Sequence, residues 1–290
     1  MDTGAAGAKA GVASLGGGAN AINIVTREDL GGGMTAGFDS QMRFSAATGD
    51  RTSAGTGNAL LHGANVYVGG GFGTIRVGKI IEASNCAFDP WACTGGAGMN
   101  AGAPGTITGL IAAGTIAQSV SYQTPTVGGF SANYHTSVSA RNNERSVMNL
   151  AYAAGPLSAQ FLQSKNSANT GGDVAGGAPA ITDVAGQGTS IGASYNFAAA
   201  RLSVFNAKTE NAAGATTADI TAVTAAMPMG AYTILAGYSK DKKRAANADT
   251  KLAIGANYAL SKRTTLGADL FKQEQVGGST GFVVRARHNF

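Results

Sequence analysis

The amino-acid sequence predicts an all-β fold, specifically a transmembrane β-barrel of about 16 antiparallel strands. Three observations support this prediction. Apolar and polar residues alternate along many short segments, with the period of a β-strand. Charged residues make up only 13% of the chain, against about 25% in soluble domains. The sequence also has no run of about 18 apolar residues, which excludes a membrane-spanning helix.

The last segment, "GFVVRARHNF", shows the alternation clearly. Phe282 and Val284 fall on one face of a strand, whereas Arg285 and Arg287 fall on the other. In a barrel that crosses a membrane, the apolar face contacts lipid and the opposite face lines the lumen. The last strand should also pair with the first, because lipid does not tolerate an open sheet edge. We therefore expect Arg285 and Arg287 to face the lumen.

The same alternation predicts one domain over residues 1–290, built from short strands in sequence order. Tight connections such as "EDLGGG" and "TPTVGG" alternate with long polar ones, as in outer-membrane barrels with short periplasmic turns and long extracellular loops. The approximate strand bounds are 1–10, 20–27, 34–46, 61–69, 74–82, 116–124, 130–140, 146–154, 157–165, 188–196, 200–208, 219–226, 231–240, 248–260, 264–275 and 280–290.

Other fold and function classes fit the sequence less well. A soluble β-sandwich or propeller also has many short strands, but it does not predict an apolar face on strand after strand. The net charge of +5 would suit nucleic acid, yet the 21 lysines and arginines are scattered and no nucleic-acid motif accompanies them. No charged segment followed by an apolar one opens the sequence, as a signal peptide would, so export is inferred from the predicted architecture.

An enzyme is not expected. Nucleophilic catalysis requires a nucleophile with a base within hydrogen-bond reach. The three histidines, His62, His135 and His288, lie on distant predicted strands. No G-x-S-x-G motif stands between a strand and a helix.

Five motifs occur in order between Arg27 and Phe290: "EDLGGGMTAGF", "GGFGTIRVGK", "YQTPTVGGFSANY", "YALSKRT" and "RHNF". Together they resemble the general porins of β-proteobacterial outer membranes, the Neisseria, Bordetella and Burkholderia type. The resemblance implies a homotrimer of 16-stranded barrels that passes small hydrophilic solutes and ions by passive diffusion, without a cofactor. It also implies contacts with outer-membrane lipid and lipopolysaccharide, and recognition of Phe290 by the barrel-assembly machinery.

The start of the chain departs from the family pattern. Members of this family open with a strand resembling "VTLYGVVDAGV", and "MDTGAAGAKAG" begins in the middle of that motif. We therefore expect the first residues of strand 1 to be missing from this chain.

Small lipid-facing residues in the early strands, such as Ala36, are compatible with close packing between barrels.

In general porins the third extracellular loop folds inward and narrows the pore. The corresponding stretch here is about 83–115, which contains Trp91 and both cysteines, Cys86 and Cys93. Two cysteines in an exported protein most simply form a disulfide, although free thiols are the alternative. A zinc site is not expected, because no histidine lies near them.

The resemblance also implies that basic residues on the barrel wall face acidic residues of this loop. Alternation places Arg43 and Arg76 in the lumen, and Lys79 occupies the family's wall-arginine position if a bulge at Gly78 turns it inward. The remaining expected constriction residues are acidic: Asp39 on the wall, and Glu82 and Asp89 in or beside the loop.

Several other basic positions of the family are empty here, since they fall on Ala21, Val25 and Ser121. The thinned set of basic residues predicts only a modest preference for anions. A substrate-specific channel for small organic anions is the alternative function, and a structural or adhesive barrel is a further one.

Overall fold

The structure is a computed structural model and describes residues 20–44, 61–81, 88, 91, 115–138, 145–166, 186–243, 250–274 and 279–289. In this part of the chain no helix is long and apolar enough to cross a membrane. The described strands are β1 Asn20–Gly31, β2 Met34–Phe44, β3 Gly63–Gly70, β4 Gly73–Ile81, β5 Thr115–Gln123, β6 Phe130–Ser137, β7 Arg145–Ala154, β8 Leu157–Asn166, β9 Gly186–Asn196, β10 Arg201–Asn211, β11 Thr216–Met229, β12 Tyr232–Asp241, β13 Thr250–Ala259, β14 Thr264–Gln273 and β15 Ser279–His288.

All 15 strands belong to one antiparallel sheet, in which each strand pairs with its neighbours in sequence. This arrangement confirms the predicted all-β antiparallel fold. The strands correspond to the second to sixteenth predicted ones, and the predicted strand over 1–10 lies outside the described residues. β11 is longer than the predicted 219–226, because its pairing with β12 continues through Pro228 to Met229.

The two ends of the sheet differ in the length of their connections. At one end short turns join the strands, for example between Gly31 and Met34 and between Gly70 and Gly73. At the other end the connections include 82–114 and 167–185. By this asymmetry the short turns are periplasmic and the long connections are extracellular.

The two faces of the sheet differ in polarity, as the alternation predicts. The outer face carries large apolar side chains that are exposed, such as Ile24, Val66, Val204, Leu252 and Val284. The opposite face is called the inner face here. In the pairing register it contains a row that runs from Val25 through Asp39, Asn65 and Gly78 to Ser119.

Candidate functional site

Part of the connection between β4 and β5 lies against the inner face. Phe88 and Trp91 are buried, with 3% and 0% of their surfaces exposed. The ring of Phe88 lies 6.2 Å from that of Phe205 on β10. The Thr224 hydroxyl on β11 donates to the Phe88 carbonyl oxygen at 2.6 Å. The connection therefore reaches strands far from β4 in the sheet, so the sheet curves around it.

Trp91 is held by a buried ionic group on β13 to β15. Its indole Nε1 donates to Asp269 Oδ1 at 3.0 Å. The other carboxylate oxygen of Asp269 accepts from Arg285 Nη1, and Arg285 Nη2 donates to Asn257 Oδ1. Asp269 is only 1% exposed, so its charge depends on these partners rather than on water. Asp269, Arg285 and Trp91 are called the loop anchor below.

The anchor requires close approach of the backbone at Gly255. A Cβ atom at this position would lie 2.2 Å from Asp269 Oδ1 and 3.0 Å from Trp91 Nε1. Glycine is the residue that leaves this space free. Glycine at position 255 therefore leaves room for the indole of Trp91, which lies in the distant connection between β4 and β5.

The inner face is not uniformly polar, a feature that the alternation of residues does not predict. Phe88 and Trp91 belong to a buried apolar cluster that continues along β7 to β13. A signal for it exists in β10, where Val204 is exposed and the adjacent Phe205 is buried. Large apolar residues on both faces of one strand indicate that something covers the inner face as well. The wall members of the cluster include Val147, Leu162, Phe205, Ile220, Leu235 and Ala253.

On β2 to β4 the inner face carries an arginine whose positive charge is balanced by an aspartate. Arg76 Nη1 donates to Asp39 Oδ2 at 2.6 Å and to Asn65 Oδ1 at 3.3 Å. Its guanidinium also lies 4.8 Å from the centre of the Tyr67 ring, within the range of a cation–π contact. Arg76 and Asp39, both predicted as lumen residues, therefore form an ion pair on the inner face.

Arg43 lies on the same face as Asp39 and has a neutral partner. Its Nε donates to Gln41 Oε1 at 2.5 Å, and the Gln41 amide donates to Asn23 Oδ1 at 2.9 Å. The Arg43 guanidinium is thus held by the neutral amide of Gln41, whereas the positive charge of Arg76 is balanced by the Asp39 carboxylate.

Lys79 follows an irregularity at Gly78. Gly78 has φ of 138°, and the register with β5 shifts between Gly78 and Ile80, as expected for a bulge. The pairing with β3 is uninterrupted, however, and places Lys79 opposite Ala64, next to the outer-face Val66. The register therefore does not support an inward-facing Lys79, and its role in the constriction stays a prediction.

His62 lies just before the first residue of β3. Burial, together with the nearby positive charges of Arg43 and Lys79, lowers the pKa of His62 to about 4. His62 is therefore neutral at pH 7 and adds no charge to this end of the wall.

The remaining predicted site residues are placed as follows. Arg285 and Arg287 both lie on the inner face of β15, but Arg285 is buried in the loop anchor, whereas Arg287 is exposed and donates to Asn289 Oδ1 at 3.3 Å. Five predicted residues lie outside the described part of the chain: Glu82, Cys86, Asp89, Cys93 and Phe290.

The structure also brings together a serine and a histidine. Ser119 Oγ lies 3.3 Å from His135 Nε2 and 2.9 Å from the backbone carbonyl oxygens of both Gly78 and Ile116, either of which can accept its proton. Both side chains are buried, so the pair packs β5 against β6. The described residues contain no cluster of histidine, cysteine or acidic side chains that could hold a metal ion.

A curved antiparallel sheet with an apolar outer face, a largely polar inner face and a loop folded against that inner face defines a transmembrane β-barrel channel. The chain belongs to the Gram-negative porin family, whose model matches residues 1–277. It is an outer-membrane protein that forms a water-filled pore. The members of this family are channels.

Solved structures agree with this fold. The anion-selective porin from Comamonas acidovorans is similar, with a TM-score of 0.71 and 23% identity over 95% of this chain and 90% of that chain. A mutant of the Rh. blastica porin has a TM-score of 0.68 and 17% identity over 93% of this chain and 89% of that chain. No curated protein sequence matches the chain.

Proposed function

We propose that the pore passes small hydrophilic solutes and ions by passive diffusion, with a modest preference for anions. The observation that supports the modest preference is the ion pair between Arg76 and Asp39 at 2.6 Å. An arginine compensated by a carboxylate attracts passing anions less than an uncompensated one. Arg43, with its neutral partner Gln41, adds a positive charge to the same face. The similarity to an anion-selective porin supports the sign of the preference.

The reversal potential across a potassium chloride gradient in a planar bilayer tests this proposal. We expect a small potential of the sign that indicates chloride preference. It should shrink as the salt concentration rises, because the Debye length falls from about 10 Å at 0.1 M to about 3 Å at 1 M. A preference for potassium would contradict the proposal. Strong selection of one organic anion over chloride would instead favour a substrate-specific channel.

We further propose that the barrel assembles as a homotrimer through the surface around β1 and β2. Exposed aromatic side chains near the periplasmic ends of strands form the girdle that contacts the lipid interface. At the same end of β1 and β2 the exposed apolar residues are Leu30 and Met34. The surface without girdle aromatics is therefore the one best suited to a second barrel. The described girdle residues on the other strands include Tyr122, Phe130, Tyr195, Tyr232 and Tyr258.

The remaining surface of each barrel would then contact outer-membrane lipid, including lipopolysaccharide. The family resemblance also supports recognition of β15 by the barrel-assembly machinery.

Substitution of Ala36 by tryptophan tests the trimer surface. Ala36 lies on the outer face of β2, opposite Val68, and a large ring there should overpack each contact by about 1–3 kcal/mol. We expect native mass spectrometry to show monomers in place of trimers. Ala256→Trp is the matched control, because Ala256 lies on the outer face of β13 opposite Ile234. Trimers in both variants, or monomers in both, would exclude β2 from the interface.

A further inference from the structure

Two arginines lie on the inner face near the periplasmic ends of β1 and β15. Arg27 shares the inner face of β1 with Val25, and β1 ends soon after it at the turn to β2. Arg287 follows Arg285 on the inner face of β15, beside the turn between β13 and β14. Both side chains are exposed. Arg27 and Arg287 are called the periplasmic arginines below.

The charges of the periplasmic arginines are not balanced by carboxylates. In the described part of the chain neither guanidinium forms an ion pair, and Arg287 donates to the neutral Asn289 Oδ1 at 3.3 Å. Asp29 lies on the same face of β1 as Arg27. Its carboxylate is directed to the β1–β2 turn, where it accepts from the backbone of Gly31 at 2.9 Å. The described residues therefore leave this part of the lumen with an excess of positive charge.

Tyr67 separates Arg27 from the ion pair between Arg76 and Asp39. The register places Arg27, Gly37, Tyr67 and Arg76 in one row across β1 to β4. The Tyr67 hydroxyl donates at 3.3 Å to a backbone carbonyl of β1, at the residue before Arg27, and a Cβ atom on Gly37 would lie 2.6 Å from this hydroxyl oxygen. The phenol ring therefore lies across Gly37. Because the Asp39 carboxylate is held by Arg76 on the other side of this ring, it does not balance Arg27.

We propose that the periplasmic arginines form a second selectivity element of the pore, which attracts anions into the periplasmic half of the lumen. A charge on the wall of a water-filled passage raises the local concentration of ions of opposite sign. This inference rests on the proposed function, because it requires an open pore through which ions diffuse. It extends that function, because it places part of the anion preference away from Arg43 and from the part of the lumen where the β4–β5 connection lies.

The double variant Arg27→Gln/Arg287→Gln tests the proposal through the reversal potential in a potassium chloride gradient, applied in both directions across the bilayer. Each removed charge should lower the chloride-to-potassium permeability ratio by about twofold, the effect of a unit charge at roughly 8 Å in water, and both together by about fourfold. We expect this decrease when the dilute solution faces the periplasmic end. It should nearly vanish when the concentrated solution faces that end, because the Debye length is about 10 Å at 0.1 M and about 3 Å at 1 M.

Two further double variants serve as controls. Lys262→Gln/Arg263→Gln removes two exposed charges from the turn between β13 and β14, outside the lumen, and should leave the ratio unchanged in both directions. Arg27→Lys/Arg287→Lys keeps the charges and should retain the wild-type ratio. A decrease in the lysine variant as large as in the glutamine variant would overturn the proposal, because altered packing rather than charge would then be its cause.

Three other results would also overturn the proposal: an unchanged ratio in Arg27→Gln/Arg287→Gln, an equal decrease in both gradient directions, or an equal decrease in the turn variant. The wild-type reversal potential tests the proposed function separately. A wild-type preference for potassium would overturn the anion preference of the pore, but the glutamine variant should still shift further toward potassium. A wild-type preference for chloride without a direction-dependent shift in the glutamine variant would overturn the second selectivity element alone.

Discussion

Replacement of Asp269 by alanine is expected to release Trp91 from the inner wall and to destabilise the barrel by about 3–5 kcal/mol, because it leaves the Arg285 charge buried without its partner. Asp269 is 1% exposed, so water cannot replace the carboxylate without opening the wall. The loop that Trp91 anchors should then move within the lumen. Denaturant titration in detergent measures the stability. Single-channel recording should show a larger and noisier conductance than in the wild type.

Two further variants separate the contributions of the loop anchor. Trp91→Phe keeps an aromatic ring but removes the indole N–H, and loss of this hydrogen bond to a charged group should cost about 1.5–3 kcal/mol. Combined with Asp269→Ala it should add little, because both changes remove the same contact. Asp219→Ala is the matched control: Asp219 is a carboxylate on the outer face whose pair with Lys242 is partly exposed, so we expect less than about 1 kcal/mol and an unchanged conductance. A wild-type conductance and stability in Asp269→Ala would show that Trp91 is held by other contacts.

The outer face of the sheet could be predicted from the sequence because lipid contact leaves a local pattern. Residues two apart on one strand share an environment, so Phe282 and Val284 could be assigned to lipid without knowing their neighbours. The strand order followed equally well, since consecutive antiparallel strands with short turns have one simple arrangement. The bulge at Gly78 was also predictable, because glycine tolerates the backbone conformation that it requires.

The position of the β4–β5 connection against the inner face could not be predicted, because it depends on contacts between residues far apart in sequence. Trp91 and Asp269 are separated by 178 positions. In β10 the adjacent apolar residues Val204 and Phe205 fit lipid equally well, and alternation alone cannot decide which of them faces a loop. Alternation has the same limitation for charged residues, because it does not show which of them pair with each other. The pattern placed Arg76 and Asp39 on one face, but only the structure shows that they neutralise each other at 2.6 Å.

Replacement of Asp39 by asparagine is expected to strengthen the preference of the pore for anions. Asparagine keeps the size of the side chain and removes the charge that compensates Arg76. A unit charge acting on an ion at about 4 Å in water contributes about 1 kcal/mol. The chloride-to-potassium permeability ratio should therefore rise by up to about fivefold, measured as the reversal potential in low salt. Stability should change little, because both side chains are about one-third exposed and such pairs contribute at most about 1 kcal/mol.

Two comparisons determine whether the effect belongs to the ion pair. Arg76→Gln should shift selectivity toward cations, and the double variant Asp39→Asn/Arg76→Gln should return close to the wild type, because the pair as a whole carries no net charge. Asp29→Asn removes an equal charge from the inner face of β1, but at the periplasmic turn, where the Asp29 carboxylate accepts from the backbone of Gly31. A smaller change in the permeability ratio for Asp29→Asn than for Asp39→Asn would place Asp39 nearer the narrow part of the pore. Equal changes for both variants would mean that the net charge of the lumen, rather than the Arg76 pair, determines selectivity.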